Sequence, residues 1–467
     1  MLSNIQDVCE KVLTLETKKP IRIYSHNDAD GITSTSIIAR MLKELGIHYW
    51  ASNIKRFDYE QLEIVNADSK KFDASFILDF GLDRTKIKTL AGTNRKFFIL
   101  DHHIIEDELK KELVNNKYEN IHIVNPHLND EENISGAGIS YLFSREILGR
   151  IEKKYIDNAY IAIIGMLGDI QNLNEVIKSK IVEDAVTSGK VQVRRGLNIF
   201  GTTRPIQKAL EFSGILPESD RNASEVVIEL LRQAEISLKD NGRYRTLLDL
   251  SHEEISRLTT IILARTGRKE RDIIGNFYLI KFNSHLYDAR ELATIVNACG
   301  RMGKSSIGIE ACYGNLEGSE KIYREYRKTL TISLQWATEL IGKIKGPQES
   351  EYTENTEKTI FDNNSYLIIN TQENVDSTIL GALVSMLSVS YPEKILVGLA
   401  YDGNKIKVSA RAREVNINLK FLLQEICEQL EGAESGGHEK AAGCLLSREH
   451  ENLFIDYLEK NLCSIKV

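Results

Sequence analysis

The sequence predicts an α/β fold built on a mostly parallel sheet, from three observations in the first third of the chain. Short apolar runs typical of buried strands alternate with longer helical patterns. Clusters of Asp and His directly follow the ends of these runs. Apolar strands separated by helices are characteristic of a sheet covered on both faces. The runs lie at residues 21–25, 75–79, 96–101 and 121–124, and the helices at 32–45 and 156–167.

The composition excludes several classes of protein. Of 467 residues, 42% are hydrophobic and 27% are charged, which is enough apolar material for large cores and argues against disorder. No stretch approaches the ~20 consecutive apolar residues of a spanning helix. The first 20 residues carry carboxylates and no continuous apolar segment, so we expect a cytoplasmic protein that does not contact membranes. The six cysteines are scattered and are predicted to be free thiols.

The net charge of −7 argues against a generally basic nucleic-acid coat. It is compatible with a local basic groove or with a carboxylate-rich metal site. Side chains that can ligate a metal ion follow four predicted elements in the first third of the chain. They are His26, Asp28 and Asp30 after the first strand, Asp79 at the end of the second, Asp101, His102 and His103 after the third, and Asp169 after the apolar helix.

We expect these side chains to converge, because the carboxyl ends of parallel strands share one crevice. Carboxylate and imidazole ligands suit Mn²⁺, Mg²⁺, Fe²⁺ or Zn²⁺. Their number exceeds the need of one ion and indicates a two-metal site that flanks a phosphate. The alternative is that the aspartates cap helices and the histidines are structural.

Residues 186–345 are predicted to form a mixed, largely helical region. Helices are expected at 224–238 and 252–266, capped by Ser224 and Ser251, a strand at 275–282, and a long helix at 318–344. Arg290, Asn297, Arg301 and Lys304 are spaced to lie near one helix face. Such a face either binds phosphates or is a solvated basic surface.

The last third predicts a second, smaller α/β unit. Residues 345–358 are polar, contain Gly-Pro and are the predicted linker. The sequence Asp402-Gly403-Asn404 indicates a hairpin turn. Strands are expected at 365–370, 395–401 and 405–412, and helices at 377–387 and 419–430. A glycine loop follows at 435–443, in which Gly436 and Gly437 let backbone N–H groups approach an anion and His438 adds a donor.

Together, these motifs resemble the DHH phosphoesterase superfamily, named for the Asp-His-His found here at 101–103. The motif His-x-Asp-x-Asp-Gly-Ile-Thr-Ser at 26–34 is similar to archaeal RecJ-like nucleases, including the GINS-associated nuclease. The stretches 198–204 and 288–304 are also family-like, so the resemblance spans most of the chain. It implies a DHH domain at 1–185, an insertion or connecting region at 186–345, and a DHH-associated domain at 360–467 with a cleft between the domains.

The resemblance also implies a role for each matching residue. His26 and Asp28 would hold one ion, Asp30, His102 and Asp169 the second, and Asp79 would bridge both. Asp101 would orient a histidine, and His103 would contact the scissile phosphate. The other substrate-binding residues would be Arg290, Asn297, Arg301, Ser409, Arg411, Gly436, Gly437 and His438. Two positions depart from the usual motifs: His26 replaces a common Asp of bacterial RecJ, and Ser435 replaces the first of three glycines.

The implied function is that of a single-strand-specific exonuclease in DNA replication or repair, with two Mn²⁺ ions, or Mg²⁺, as cofactors. Single-stranded DNA degraded 5′ to 3′ is the expected substrate, with RNA as a further one. GINS or another replisome protein is the candidate partner. Two alternatives stay open: a phosphodiesterase for short oligoribonucleotides or cyclic dinucleotides, and a replisome scaffold.

Overall fold

The computed structural model describes residues 4–154, 156–211, 213, 215, 223–344 and 359–463. The chain divides into two compact units, Met1–Ile322 and Tyr323–Val467. The predicted linker at 345–358 lies outside the described residues, and the predicted domain limits at 185 and 345 stay predictions. Among the described helices, none is both long and apolar enough to cross a membrane.

The main sheet of the first unit has five parallel strands in the order β2-β1-β3-β4-β5. The strands are β1 (Ile21–His26), β2 (Tyr49–Ile54), β3 (Ala74–Leu78), β4 (Lys96–Leu100) and β5 (Ile121–Val124). Four of them confirm the predicted apolar runs. The strand β2 was not predicted, because its residues are exposed or half-buried and form no apolar run.

Helices cover both faces of this sheet. They are α1 (Ile5–Leu13), α2 (Ala29–Glu44), α3 (Tyr59–Ala67), α4 (Arg84–Ala91), α5 (Asp107–Val114), α6 (Gly136–Arg150), α7 (Ala159–Gly168) and α8 (Val176–Thr187). Successive strand residues point to opposite faces. Phe76 and Phe98 join one apolar cluster with α2, α6 and α7. Ile77 and Ile99 join another with α3, α4 and α5. The predicted doubly covered parallel sheet is therefore confirmed.

The middle region contains a three-stranded antiparallel sheet in the order β10-β9-β6 and a two-stranded ribbon. The strands are β6 (Val191–Leu197), β7 (Lys239–Asp240), β8 (Arg243–Tyr244), β9 (Ile274–Phe282) and β10 (His285–Asp288). The helices are α9 (Ile206–Glu211), α10 (Ala223–Gln233), α11 (His252–Thr266), α12 (Glu270–Ile273), α13 (Ala289–Arg301), α14 (Ser305–Cys312) and α15 (Glu317–Ile344). Residues of α13 and α14 belong to the core of the main sheet, whereas residues 197–273 contribute a separate apolar core.

The second unit is built on a mixed six-stranded sheet in the order β11-β12-β13-β14-β16-β15. Only the β12–β13 pair is parallel among these neighbours. The strands are β11 (Ile360–Asp362), β12 (Tyr366–Asn370), β13 (Ile395–Asp402), β14 (Lys405–Ala412), β15 (Glu434–His438) and β16 (Ala441–Ser447). The helices are α16 (Leu380–Ser390), α17 (Leu419–Cys427) and α18 (Glu451–Cys463). The predicted hairpin is confirmed, with Gly403 at φ +62° in its turn.

Several local predictions are wrong. Ser224 lies inside α10, where its hydroxyl accepts a hydrogen bond from Gln207 instead of capping the helix. Ser377 does not begin a helix, since α16 starts at Leu380. Lys304 lies beyond the end of α13 and so is not on the face of that helix. Ser251 does cap α11, through a capping box with Glu254. Hydroxyl caps are favoured but not obligatory, so a Ser near a helix start gives an ambiguous signal.

Candidate metal centre

The metal-type residues lie at the adjacent carboxyl ends of β1, β3 and β4, and at the end of α7. Asp28 caps α2, and its side chain accepts a hydrogen bond from the backbone N–H of Gly31 at 3.0 Å. A Cβ on Gly31 would lie 2.2 Å from the carbonyl oxygen of His26. Only glycine therefore lets α2 turn back so closely onto the end of β1, which brings His26, Asp28 and Asp30 together.

His26, Asp28 and Asp79 form the first ligand group. His26 Nδ1 is 2.8 Å from Asp28 Oδ2 and 3.9 Å from Asp79 Oδ2. One ligand atom from each of the three residues falls within 4.8 Å of the others. This spacing allows the three side chains to share one cation.

Asp30, His102 and Asp169 form the second ligand group. His102 Nε2 is 3.9 Å from Asp30 Oδ2, and His102 Nδ1 is 3.9 Å from Asp169 Oδ2. Asp79 Oδ1 is 3.3 Å from His102 Nε2. The two oxygens of Asp79 therefore face one histidine of each group, which is the arrangement that a bridging carboxylate requires.

Asp79 is held in an unusual backbone conformation. Its φ is +59°, in the left-handed region, and its N–H donates to the carbonyl oxygen of Leu100 at 3.0 Å. Asp tolerates this region better than most residues, but the conformation still has a cost of roughly 1 kcal/mol or more. The turn ends β3 at Leu78 and directs the buried carboxylate between the two ligand groups.

Asp30 is fixed by the N-terminus of α6. Its carboxylate accepts hydrogen bonds from the Ser135 hydroxyl at 2.7 Å and from the N–H groups of Gly136 and Ala137 at 2.7 and 2.9 Å. Gln171 extends this support: its Nε2 donates to Asp169 Oδ2 at 3.0 Å and its Oε1 accepts from the N–H of Ser135 at 3.0 Å. Neighbours of this kind fix ligand orientation at metal sites.

Asp101 does not belong to either ligand group. It accepts hydrogen bonds from His103 Nδ1 at 2.8 Å and from Asn125 Nδ2 at 3.3 Å. Asn125 Nδ2 also donates to the carbonyl oxygen of His103 at 3.0 Å. Asp101 and Asn125 thus orient His103, which with Asp79 and His102 forms a third possible ligand set.

The pKa values show an excess of buried negative charge. Burial raises the pKa of Asp79 well above its usual value, and the nearby Asp30 and Asp28 add to the effect. Burial also raises the pKa of Asp30, to about 6, and that of Asp169. Burial opposes the charge on His26, but attraction to Asp28 and Asp79 outweighs it and raises the pKa to about 9. Buried carboxylates that repel one another, with imidazole among them, fit the donor set for Mn²⁺ or Mg²⁺.

The basic residues of α13 have different surroundings. The guanidinium of Arg290 donates to Asn198 Oδ1 at 2.7 Å and to the carbonyl oxygen of Ile199 at 2.8 Å, so its contacts are internal ones. Arg301 is half-buried. Burial raises the pKa of Asp28, but the charge and hydrogen bond of His26 outweigh it, and the charge of Arg301 adds to the lowering. A Cβ on Gly300 would meet the carbonyl oxygen of Asn27, which explains how α13 packs so closely on this loop. Asn297 is half-buried on the same helix.

The predicted substrate-binding residues of the second unit share a sheet. Ser409 pairs with Gly443 of β16, which in turn pairs with Gly436 of β15. In the same way, Arg411 pairs with Ala441, which pairs with His438. Partners across antiparallel strands present their side chains on the same face. This site face comprises Ser409, Arg411, Gly436 and His438. Arg411 Nε donates to Ser385 Oγ of α16 at 2.8 Å.

The prediction of a glycine loop at 435–443 is wrong. Residues 434–438 form β15, an exposed strand at the edge of the sheet, and β16 begins at Ala441. Gly437, at φ +131°, adopts a conformation that side chains disfavour and is the member of the motif that alternates away from the site face. Glycine occurs in hairpins as well as in loops, so composition alone does not distinguish the two.

Sequence reasoning missed the residues that support the ligands: Asn125, Ser135, Gly136 and Gln171. A signal existed for two of them. Ser135 precedes the helix α6 as a typical N-cap residue, and Asn125 directly follows β5. Nothing in the sequence pattern marks Gln171, whose role depends on the contact between the end of α7 and the start of α6.

Two family profiles match the chain. Residues 20–163 match the DHH family, N-terminal domain, and residues 363–462 match the DHHA1 domain. An uncharacterized protein of Methanocaldococcus jannaschii is 25% identical over 452 residues, covering 94% of this chain and 92% of that protein. YorK of Bacillus subtilis, named as a candidate prophage-derived single-strand DNA-specific exonuclease, is 20% identical over 371 residues, covering 70% of this chain and 63% of YorK.

Solved structures share the fold. RecJ from Thermus thermophilus, in complex with Mn²⁺, superposes with a TM-score of 0.59 at 15% identity, covering 100% of this chain and 55% of that one. An exonuclease RecJ bound to manganese superposes with a TM-score of 0.58 at 14% identity, covering 100% of this chain and 96% of that one. CDC45 from Entamoeba histolytica superposes with a TM-score of 0.62 at 13% identity, covering 98% of this chain and 97% of that one. These similarities identify the fold as that of RecJ.

Proposed function

Because the chain belongs to the DHH family of phosphodiester hydrolases, with a DHH domain followed by a DHHA1 domain, we propose that it is a metal-dependent exonuclease specific for single-stranded nucleic acid. The observation that carries the proposal is the position of Asp79, whose two carboxylate oxygens face His26 and His102 of the two ligand groups. Two neighbouring cation sites suit the hydrolysis of a phosphodiester.

In this proposal each ligand group would hold one divalent ion, with Mn²⁺ favoured over Mg²⁺ by the two imidazoles. His26 and Asp28 would hold the first ion, Asp30, His102 and Asp169 would hold the second, and Asp79 would contribute to both sites. Bound ions supply positive charge to the phosphate and to an attacking water. The protein contributes the fixed positions of its carboxylates, which hydrogen bonds from Gly31, Ser135 and Gln171 set in advance.

His103 is proposed to contact the scissile phosphate. Burial opposes its charged form, but the hydrogen bond and charge of Asp101 outweigh burial and raise the pKa of His103. An imidazolium can donate a charge-assisted hydrogen bond to a phosphate oxygen. The ring is 45% exposed, so a substrate can reach it.

The site face of the second unit is proposed to bind the nucleic-acid strand. Arg411 and His438 offer donors to phosphates, and Gly436, two residues before His438 on β15, adds no side chain to this face. Arg301 is proposed to add positive charge beside Asp28, and Asn297 a further polar contact. In the first unit, Arg290 is proposed to support the surface of α13 through its contacts to Asn198 and Ile199. Single-stranded DNA degraded 5′ to 3′ is the substrate we propose, in replication or repair, with RNA as a second substrate.

A time course on end-labelled strands tests the proposal. Single-stranded DNA and RNA of equal sequence, each labelled separately at the 5′ and the 3′ end, are incubated with Mn²⁺ or with a chelator. We expect early release of a labelled mononucleotide from one end, which identifies the polarity, and no release with the chelator or with Asp79→Ala. Hydrolysis that survives in Asp79→Ala would contradict the proposal. Turnover of a dinucleotide but not of long strands would instead identify a small-nucleotide phosphodiesterase.

A second candidate function, as a replisome scaffold, is favoured by one observation. Residues 197–273 build an apolar core separate from that of the main sheet. Such an independently packed insertion can serve as a docking module for GINS or another replisome protein. Pull-down with wild type and Asp79→Ala tests this: equal recovery of the partner by both would support it, and recovery by neither would remove it.

A further inference from the structure

The end of α7 contains an isoleucine in a conformation that suits glycine. Asp169 is the C-cap of this helix, and Ile170 follows with φ +55°. The N–H of Ile170 donates to the carbonyl oxygen of Leu167, and that of Gln171 to the carbonyl oxygen of Met166. This is the Schellman arrangement, whose left-handed position is usually taken by Gly.

Other helices of the protein end in the same hydrogen-bond pattern with more suitable residues. Gly46 closes α2, Gly314 closes α14, Asn116 closes α5 and Glu152 closes α6, all at positive φ. Within the described part of the chain, Ile170 is the only β-branched residue with positive φ. For a β-branched residue this conformation is a genuine outlier.

The side chain of Ile170 gains nothing from packing, because it is 92% exposed. A strained residue that is also exposed has no evident structural benefit, and residues of this kind concentrate at functional sites. Ile104, which directly follows His103, is 76% exposed as well. The 3.9 Å between His102 Nδ1 and Asp169 Oδ2 brings the two chain segments together at the metal centre. An exposed isoleucine therefore directly follows the ligand segment at 101–103 and the ligand Asp169.

We propose that Ile170, assisted by Ile104, contacts the nucleobase of the nucleotide whose phosphate lies at the metal centre. This inference rests on the proposed function. In the proposed function, the metal centre binds the charged phosphate of the nucleotide. An apolar side chain next to it can contact the uncharged face of the base. Contact with a base face is independent of sequence, as an exonuclease without sequence preference requires. A nucleic acid is favoured over a protein or lipid partner, because both isoleucines adjoin metal-ligating segments.

The test uses Ile170→Gly and Ile170→Asn, since both residues adopt positive φ readily. The substrates are a single strand with normal bases and the same strand with an abasic terminal nucleotide at either end. We expect wild type to prefer the normal strand by about tenfold in kcat/KM, as partial burial of an apolar side chain against a base predicts, and both variants to lose most of that preference. We expect the variants also to raise Tm by roughly 1–3 °C, because strain is relieved.

Glu152→Gly is the matched control, since Glu152 occupies the same position at the end of α6. It should raise Tm similarly and leave the preference for a normal base intact. Equal kcat/KM of wild type on normal and abasic strands would overturn the inference while leaving the proposed function in place. Inactivity of wild type on both strands would remove the proposed function as well. A Mn²⁺ affinity reduced in both Ile170 variants would assign their effect to Asp169 and also overturn the inference.

Discussion

The metal centre of the first unit and the site face of the second unit place functional residues in opposite ways. At the metal centre, Asp30 and Asp79 are almost fully buried and are held by backbone geometry and by helix ends. On the site face, the strand β15 is exposed along its whole length. Its residues take their positions from the register of the sheet.

This difference shows which site is organised before substrate binds. A buried ligand cluster with fixed hydrogen bonds needs little rearrangement, which favours chemistry that depends on exact charge positions. The strand β15 is fixed by its pairing with β16 and its packing beside α17, while its exposed residues leave an open surface that suits a nucleic-acid strand of any sequence. We therefore expect substitutions in the metal centre to lower kcat and substitutions on the site face to raise KM.

The largest effect is expected for Asp169→Asn. Loss of this carboxylate weakens the second ligand group, so kcat should fall on the order of 10³-fold, beyond the 10–100-fold of a supporting residue. Calorimetric titration should show fewer or weaker Mn²⁺ sites. Asp130→Asn is the control, because Asp130 lies outside the ligand groups and its carboxylate is paired with Lys110. Wild-type kcat in Asp169→Asn would contradict the assignment.

Ser135→Ala is expected to have the next largest effect. It removes the hydroxyl that donates to Asp30 and leaves the two backbone donors in place. Mn²⁺ affinity should fall roughly 10–100-fold, measured by titration against activity. Ser140→Ala on the same helix is the control, since its hydroxyl is buried with no hydrogen-bond partner among the described residues. Equal affinities of the two variants would show that the hydroxyl of Ser135 does not position Asp30.

His438→Ala tests the site face. We expect KM for a long single strand to rise by roughly tenfold through loss of a phosphate contact, with kcat for a dinucleotide close to that of wild type. The effect should shrink as salt is raised. His285→Ala, an exposed histidine of β10, is the control. A fall in kcat on both substrates would instead connect His438 to the chemistry.

The smallest effect concerns stability against pH in the metal-free protein. The pKa of Asp30 is raised to about 6 and that of His26 to about 9, so the folded state binds both protons more tightly than the unfolded chain. Their stabilisation is therefore lost as the pH rises, for Asp30 between about 4 and 6 and for His26 between about 6.5 and 9. The pKa of Asp28 is instead lowered, so its stabilisation is lost only as the pH falls below about 4. It therefore does not change between pH 5 and pH 9.

We accordingly expect Tm in the presence of a chelator to fall by roughly 3–6 °C between pH 5 and pH 9. Saturating Mn²⁺ should reduce this fall of Tm with pH, because a bound cation compensates the negative charge of the buried carboxylates. Thermal unfolding across that pH range with and without Mn²⁺ measures both. A metal-free Tm that rises over this range would show that the cluster does not carry uncompensated negative charge.

Hydrophobic patterning in the sequence predicted part of the buried framework. Four of the five strands of the main sheet, the helices α2 and α7 and the hairpin at Gly403 could be predicted, because buried elements repeat apolar residues at their own period. The buried helix α6 was not predicted. The sequence also predicts which residues gather at the strand ends, since parallel strands present their carboxyl ends on one side. The strand β2 escaped prediction because exposed residues carry no such pattern.

The division of those residues into groups, and the contacts that support them, depend on the tertiary structure. Asp79 can face both ligand groups because the chain makes a left-handed turn directly after β3. Asp30 receives its hydrogen bonds because α6 begins at Gly136. The glycine motif became an edge strand through its pairing with β16. The strained and exposed Ile170 is likewise invisible in the sequence, because φ at a helix end is set by the hydrogen bonds that close the helix. Contacts between distant segments obey no short-range periodicity, so the sequence pattern cannot contain them.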